Sequence, residues 1–355
     1  MDHHARRRRL LTRLDDLGID ALLVTHLPNV RYLTGFTGSN GQLLIAANHA
    51  VFLTDPRYEE QARHEAPDVE RATYRLDFPS SFAEISGDLG LARVGFEAAS
   101  VSYGLYERLR RTGVELVPTT GEVERLRRVK DPDELALIEE AQRATDDALE
   151  RVLPKLVEGR NEREVALDLE HEMRALGAEE AAFRSIVAFG ESAAEPHHVP
   201  GERTLRRGDI IKLDFGARVQ GYCADMTRTV ALGAPSRDLV EIHDLVRRAQ
   251  AEGIEAVRPG AVGGEVDRVA REVIAHAGQR ERFGHSLGHG IGLEVHEAPT
   301  LRRGSEDVLE PGTVVTVEPG VYIPGVGGVR IEDMVVVTET GARPLPSAPR
   351  ELQIL

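Results

Sequence analysis

Two aspartates, Asp214 and Asp225, interrupt otherwise strand-like runs in the segment DIIKLDFGARVQGYCADMTRTVAL. A turn near Val219, Gln220 and Gly221 predicts a hairpin in which the two are symmetric about the midpoint and therefore opposite one another. Cross-strand neighbours have Cβ atoms about 4.5–5.5 Å apart, and two carboxylates that close repel unless a proton or cation lies between them. The segment TVVTVEPGVYIPGVGGVRIEDMVVV repeats the device, with Glu318 and Glu332 symmetric about a glycine-rich loop centred near Gly325. A single carboxylate in a strand is ordinarily a solvent-facing residue or an ion-pair partner. Two symmetric pairs inside runs such as IIKLDF and VVTVEP require a common reason, and a metal is the natural occupant.

Imidazole is available nearby. The stretch HSLGHGIGLEVHE holds His285, His289 and His296, and EPHH holds His197 and His198. One nitrogen from the GHGIG or VHE stretch, added to four carboxylates, gives an oxygen-rich ligand set that suits two Mn, Co, Fe or Zn ions better than a structural zinc. Gly288, Gly290 and Gly292 would let the backbone around His289 come close to a bound group. There is no HExxH and no GxxxxGK[ST]. The one cysteine, Cys223, sits within a strand-like run, excludes an internal disulfide and a thiolate zinc cluster, and reads as structural.

The elements that must carry these groups fall into two parts. Residues 1–125 alternate helical and strand patterns as one α/β domain: a helix near 4–17, strand-like DALLVT, extended segments at 43–46 and 51–54, helices near 56–66, 80–89 and 102–112, and the strand-like RVGFE. Residues 126–355 begin with a charged connector. Asp131, Pro132 and Glu134 then supply a helix cap, a first-turn proline and a capping-box glutamate. From there one order of elements occurs twice: helices at about 132–153 and 162–176 with strands to 232, then helices at about 237–256 and 264–277 with strands to 337. A pseudo-duplicated α+β domain follows, and stacking its halves face to face would bring the two acid pairs together.

The 355 residues carry 59 acidic against 44 basic side chains, a formal charge of -15 that disfavours nucleic acid and anionic membranes as partners. Arg6 to Arg9 form a basic cluster, but Leu10, Leu11, Leu14 and Leu17 follow at helical spacing, as in an amphipathic surface helix. Neither a signal peptide nor a membrane span is expected, and the cytoplasm is the expected location.

These motifs resemble those of the creatinase, methionine aminopeptidase, prolidase and aminopeptidase P family, of pita-bread fold. The resemblance spans the chain: NVRYLTGFTGSNG and TDPRYEEQA in front, then PHHVP, DFG, GYCADMTRT, HSLGHGIGLEVHE, VEPGVY and GGVRIED. It implies a creatinase-like N-terminal domain before a pita-bread metallopeptidase domain, a homodimer, and two divalent ions, Mn2+ first and Co2+, Zn2+ or Fe2+ as alternatives. Carried over by position, it makes Asp214, Asp225, His289, Glu318 and Glu332 the metal ligands, Asp225 and Glu332 bridging. Glu318 would relay the proton of the attacking water, His296 and His197 would hydrogen-bond the oxyanion and the departing proline nitrogen, and His285 would border the proline pocket. One departure is visible: the family often reads Asn-Ser-Ala-x-Pro-His where this chain has Ser192 to His197.

The implied substrates are proline-containing peptides. The resemblance is nearest to bacterial aminopeptidase P, because prolidases carry an arginine where Thr300 stands and because FTGSNG and DPRY resemble the aminopeptidase. Prolidase (Xaa-Pro dipeptidase) is the alternative, with Arg302 and Arg303 near enough to replace that arginine. Metal-free C–N cleavage of the creatinase kind, and a non-catalytic binding module, are the readings that intact acid pairs disfavour.

Overall fold

The computed structural model describes the chain from Met1 to Leu355, the side chain of Asp15 excepted. Its contacts divide it into two compact units, Met1–Arg127 and Arg128–Leu355.

In the first unit a six-stranded sheet runs in the order Glu70–Thr73, His49–Thr54, Gln42–Ala46, Ala21–Val24, Arg93–Glu97, Glu115–Thr119. Ala21–Val24 pairs parallel to Arg93–Glu97 and antiparallel to Gln42–Ala46, so the sheet is mixed. Both outermost strands escape the sequence reading for a physical reason. ERAT and ELVPT are polar or proline-bearing, as edge strands commonly are, and lack the apolar run of the buried Ala21–Val24. The helix Leu27–Thr34 is also additional, with Pro28 in its first turn and Gly35 closing it in the left-handed region at φ 84°. The helix expected over 4–17 is two, His3–Leu11 and Leu14–Leu17.

The second unit opens with Pro132–Val152 and Glu162–Ala175, each carrying a complete capping box, Asp131 with Glu134 and Asn161 with Glu164. Strands Ile186–Phe189, Ile210–Phe215 and Met226–Ala231 follow as one antiparallel sheet. The order then repeats: helices Arg237–Ala256 and Gly263–His276 precede a five-stranded sheet containing Gly288–Gly290, Glu297–Leu301, Val314–Val317 and Asp333–Val337. The apolar faces of the second helix pair, Ile242, Val246 and Ala249 with Val266, Ala270 and Ile274, pack on Val315, Val317, Val335 and Val337 of that sheet. Among the described residues no helix is long and apolar enough to cross a membrane.

The halves meet differently from the expected face-to-face stack. They join edge to edge along Met226–Ala231: Glu332 N donates to Thr227 O at 3.1 Å, and the Thr229 hydroxyl to Arg330 O at 2.8 Å. This junction brings one acid pair beside the other.

Candidate metal centre

The second acid pair sits in the register read from the sequence. Val317 pairs with Asp333 and Gly320 with Arg330, one register on both sides of a break, and continuing it places Glu318 across from Glu332. The first pair does not. Asp214 lies opposite Thr227, not Asp225, because the hairpin closes in a two-residue turn at Gln220 and Gly221, both at positive φ, 44° and 79°. The tighter turn slides the register by two residues, which preserves the faces, so the aspartates are diagonal neighbours and still on one side.

Asp225, His289 and Glu332 each offer a ligand-type atom, and these atoms lie within 4.8 Å of one another. His289 Nε2 stands 3.3 Å from Glu318 Oε1 and 3.7 Å from Asp225 Oδ2. Its Nδ1 faces Gly290 O at 3.0 Å, which leaves Nε2 as the nitrogen pointing among the acids. Gly288 and Gly290 admit the close approach of neighbouring strands: a Cβ on Gly288 would stand 1.9 Å from Thr316 O, and one on Gly290 2.3 Å from Ala298 O.

Four buried or half-buried carboxylates share this space, and their protonation reflects it. Burial raises Asp225 well above the usual carboxylate range, and the charges of Glu332, Asp214 and Glu318 add to that. Glu332 is raised likewise, by burial and then by Glu318 and Asp214. Burial would raise Glu318 too, but the hydrogen bond and charge of His289 bring it down to about 2. Glu332 Oε2 accepts from the Thr227 hydroxyl at 2.6 Å, whereas its buried Oε1 has no hydrogen-bond partner among the described residues. An orphaned carboxylate oxygen beside a carboxylate and an imidazole nitrogen is what a divalent cation would satisfy, so the donor set fits a metal.

Arg330, which the sequence reading passed over, is the cation inside the site. It forms an ion pair with Asp214, donates through Nε to the Thr227 hydroxyl at 3.0 Å, and through Nη1 to the Tyr322 hydroxyl at 3.1 Å. Tyr322 Oη in turn lies 2.9 Å from His285 Nε2, and burial pushes its phenol up to about 12. Asp214 is therefore held by Arg330, outside the tight three-residue cluster, and His285 is linked to it through Tyr322 and Arg330. The clue lay in GGVRIED: Arg330 is two residues before Glu332 in an extended run, hence on the same side. The His296 ring centroid is 4.4 Å from that of His289. Partial enclosure lowers its basicity, His289 acting in the same direction and Glu318 against it, with His197 also close enough to contribute. Cys223 is buried, its thiol pushed up to about 11 mainly by burial, in keeping with a structural role.

Residues 136–339 match the model of metallopeptidase family M24, and residues 6–129 that of the creatinase/prolidase N-terminal domain. The chain belongs to metallopeptidase family M24. A creatinase-type N-terminal domain thus precedes an M24 domain of pita-bread fold, as the motifs imply. Solved structures agree along the chain: an Xaa-Pro dipeptidase from Bacillus anthracis is 42% identical with a TM-score of 0.98, covering 100% of both chains. An X-Pro aminopeptidase from Thermotoga maritima is 37% identical with a TM-score of 0.92, covering 98% of this chain and 99% of that one. An Xaa-Pro dipeptidase from Pyrococcus horikoshii is 36% identical over 97% of each sequence. Within this M24 domain, Arg302 and Arg303 line a cavity of about 370 Å³ together with His285 and Ser286.

Proposed function

We propose that the chain is an Xaa-Pro dipeptidase acting through two divalent ions held by Asp214, Asp225, His289, Glu318 and Glu332. The observation that carries this reading is the convergence of Asp225, His289 and Glu332 within 4.8 Å in a family of metallopeptidases. Bound there, the ions supply Lewis acidity for the scissile carbonyl and lower the pKa of water. Glu318, ionised beside His289, accepts a proton at its carboxylate. His296 and His197 donate to the carbonyl oxygen as charge builds on it and to the departing proline nitrogen. His285 borders the proline ring, whose fixed shape and missing N–H distinguish it from other residues. Mn2+ as the ion, a homodimer and a cytoplasmic setting belong to the same proposal.

The choice of dipeptidase over the aminopeptidase expected from the motifs is supported by the relatives: two of the three full-length relatives described above bear the name Xaa-Pro dipeptidase. The Thermotoga protein keeps the aminopeptidase as a second reading. Thr300 offers no cation to a proline carboxylate, and its N–H and hydroxyl are both engaged by Asp307 Oδ2. Arg302 and Arg303, beside His285, can supply one, and a charge-assisted fork from arginine is the strongest recognition of that group.

The test compares kcat/KM on an Xaa-Pro dipeptide and on an Xaa-Pro-Yaa tripeptide. We expect the dipeptide to be preferred by about tenfold or more, the worth of one charge-assisted contact, and the Arg302→Ala/Arg303→Ala double variant to lose that preference through KM. A preference for the tripeptide would restore the aminopeptidase and leave the metal centre untouched.

A further inference from the structure

Lys212 stands two residues before Asp214 in the strand Ile210–Phe215 and is 0% exposed. Its neighbours in the strand are apolar, and its backbone pairs in register with Ala188 on one side and Thr229 on the other, so sheet formation does not call for a lysine here. Burying an ammonium is costly unless its donors are engaged, and the structure shows what engages them. Nζ lies 2.5 Å from Glu195 O, 3.2 Å from Ala193 O and 3.4 Å from Pro196 O. Its fourth neighbour is the face of Tyr322, 5.2 Å to the ring centroid.

All three carbonyls belong to the segment immediately before His197. Other groups hold the same segment: Arg330 Nη1 donates to Pro196 O at 3.2 Å, and His198 is caught between Glu195 Oε2 at 2.7 Å and Glu162 Oε2 at 2.8 Å. His197 itself is exposed, with no hydrogen bond of its own among the described residues, so its place is set by what fixes its neighbours. Lysine is suited to the task, because three donors on a compact head can gather carbonyls that diverge from one turn, which a planar guanidinium would meet less evenly.

We propose that Lys212 is a positioning residue for His197: its ammonium gathers the carbonyls of Ala193, Glu195 and Pro196 and thereby sets the imidazole where it meets the departing proline nitrogen. This rests on the role given to His197 above. Without the ammonium the carbonyls turn to water, the segment loses its anchor from below, and His197 samples positions away from the substrate.

The experiment is a double-mutant cycle on the metal-loaded enzyme with an Xaa-Pro dipeptide, comparing wild type, Lys212→Met, His197→Ala and the double variant, with metal content measured in each. Lys212→Met is expected to lower kcat by about tenfold or more with metal retained and KM within a few-fold, and to have no further effect in the His197→Ala background. Lys212→Gln, which keeps an N–H donor toward the carbonyls, is expected to recover part of the loss, and it takes the place of Lys212→Met in the cycle if the latter does not fold. An equal loss in both backgrounds, a loss of metal, or an unchanged kcat overturns the proposal. If His197→Ala is itself as fast as wild type, the role of His197 falls and the proposal falls with it. Additivity on top of a slow His197→Ala refutes the proposal alone.

Discussion

Asp225→Ala and Glu332→Ala are each expected to reduce peptidase activity to background and to lower the metal bound per chain, as read by proline release and by elemental analysis. Both residues belong to the cluster whose ligand-type atoms lie within 4.8 Å, and both are held well above the usual carboxylate range, first by burial and then by the charge of neighbouring carboxylates. If these carboxylates serve two ions, as proposed, no neighbour could replace them, because Asp214 is engaged by Arg330 and Glu318 by His289. Asp225→Asn and Glu332→Gln keep shape and remove charge, and they should fail almost as completely if charge is what the ions require. Wild-type activity with full metal in any of these variants would remove the bridging role. A wild-type protein that binds no metal and releases no proline would instead favour the non-catalytic reading of the fold.

His296→Ala behaves differently. It is expected to retain its metal and to lose on the order of 10²-fold in kcat with KM little changed, as when a transition-state donor is removed and no ligand is lost. The two neighbouring imidazoles are distinguished by their surroundings. His289 is buried, its Nδ1 occupied by Gly290 O and its Nε2 directed at Glu318 and Asp225, the arrangement of a ligand whose tautomer is fixed by its other nitrogen. His296 is exposed, 4.4 Å away between ring centroids, and forms no ion pair with those carboxylates among the described residues. Metal loss in His296→Ala would mean that the two roles are exchanged.

The parts of the site that were legible in the sequence are those governed by local rules. The capping boxes at Asp131 and Asn161 fix helix starts within four residues, and the loop about Gly325 preserves one register on both sides of the break between Val314 and Val336. The hairpin holding Asp214 and Asp225 was misjudged because its turn centres on Gln220 and Gly221, with Gln220 at a positive φ that a non-glycine residue seldom adopts. Arg330 was passed over for a different reason. An arginine in a strand ordinarily faces water, and only the edge-to-edge joining of the halves reveals that this one is 3% exposed and paired to Asp214. The strands Glu70–Thr73 and Glu115–Thr119 were missed because an edge strand is stabilised by its neighbour and not by its own composition.

The seam along Met226–Ala231 also bears on how the chain holds its shape. Asp225 precedes that seam and Glu332 borders it from the other half, so an ion shared by them would tie together points far apart in sequence that otherwise meet through hydrogen bonds and the buried ion pairs Arg330–Asp214 and Arg228–Asp333. A cross-link closing a loop of roughly a hundred residues removes about 4–5 kcal/mol of unfolded-chain entropy in the simplest polymer treatment. An ion that binds the folded chain and not the unfolded one stabilises it in proportion to the logarithm of its concentration above Kd. Loading and folding are then one linked equilibrium, and a chelator acts on the persistence of the second unit as much as on its turnover.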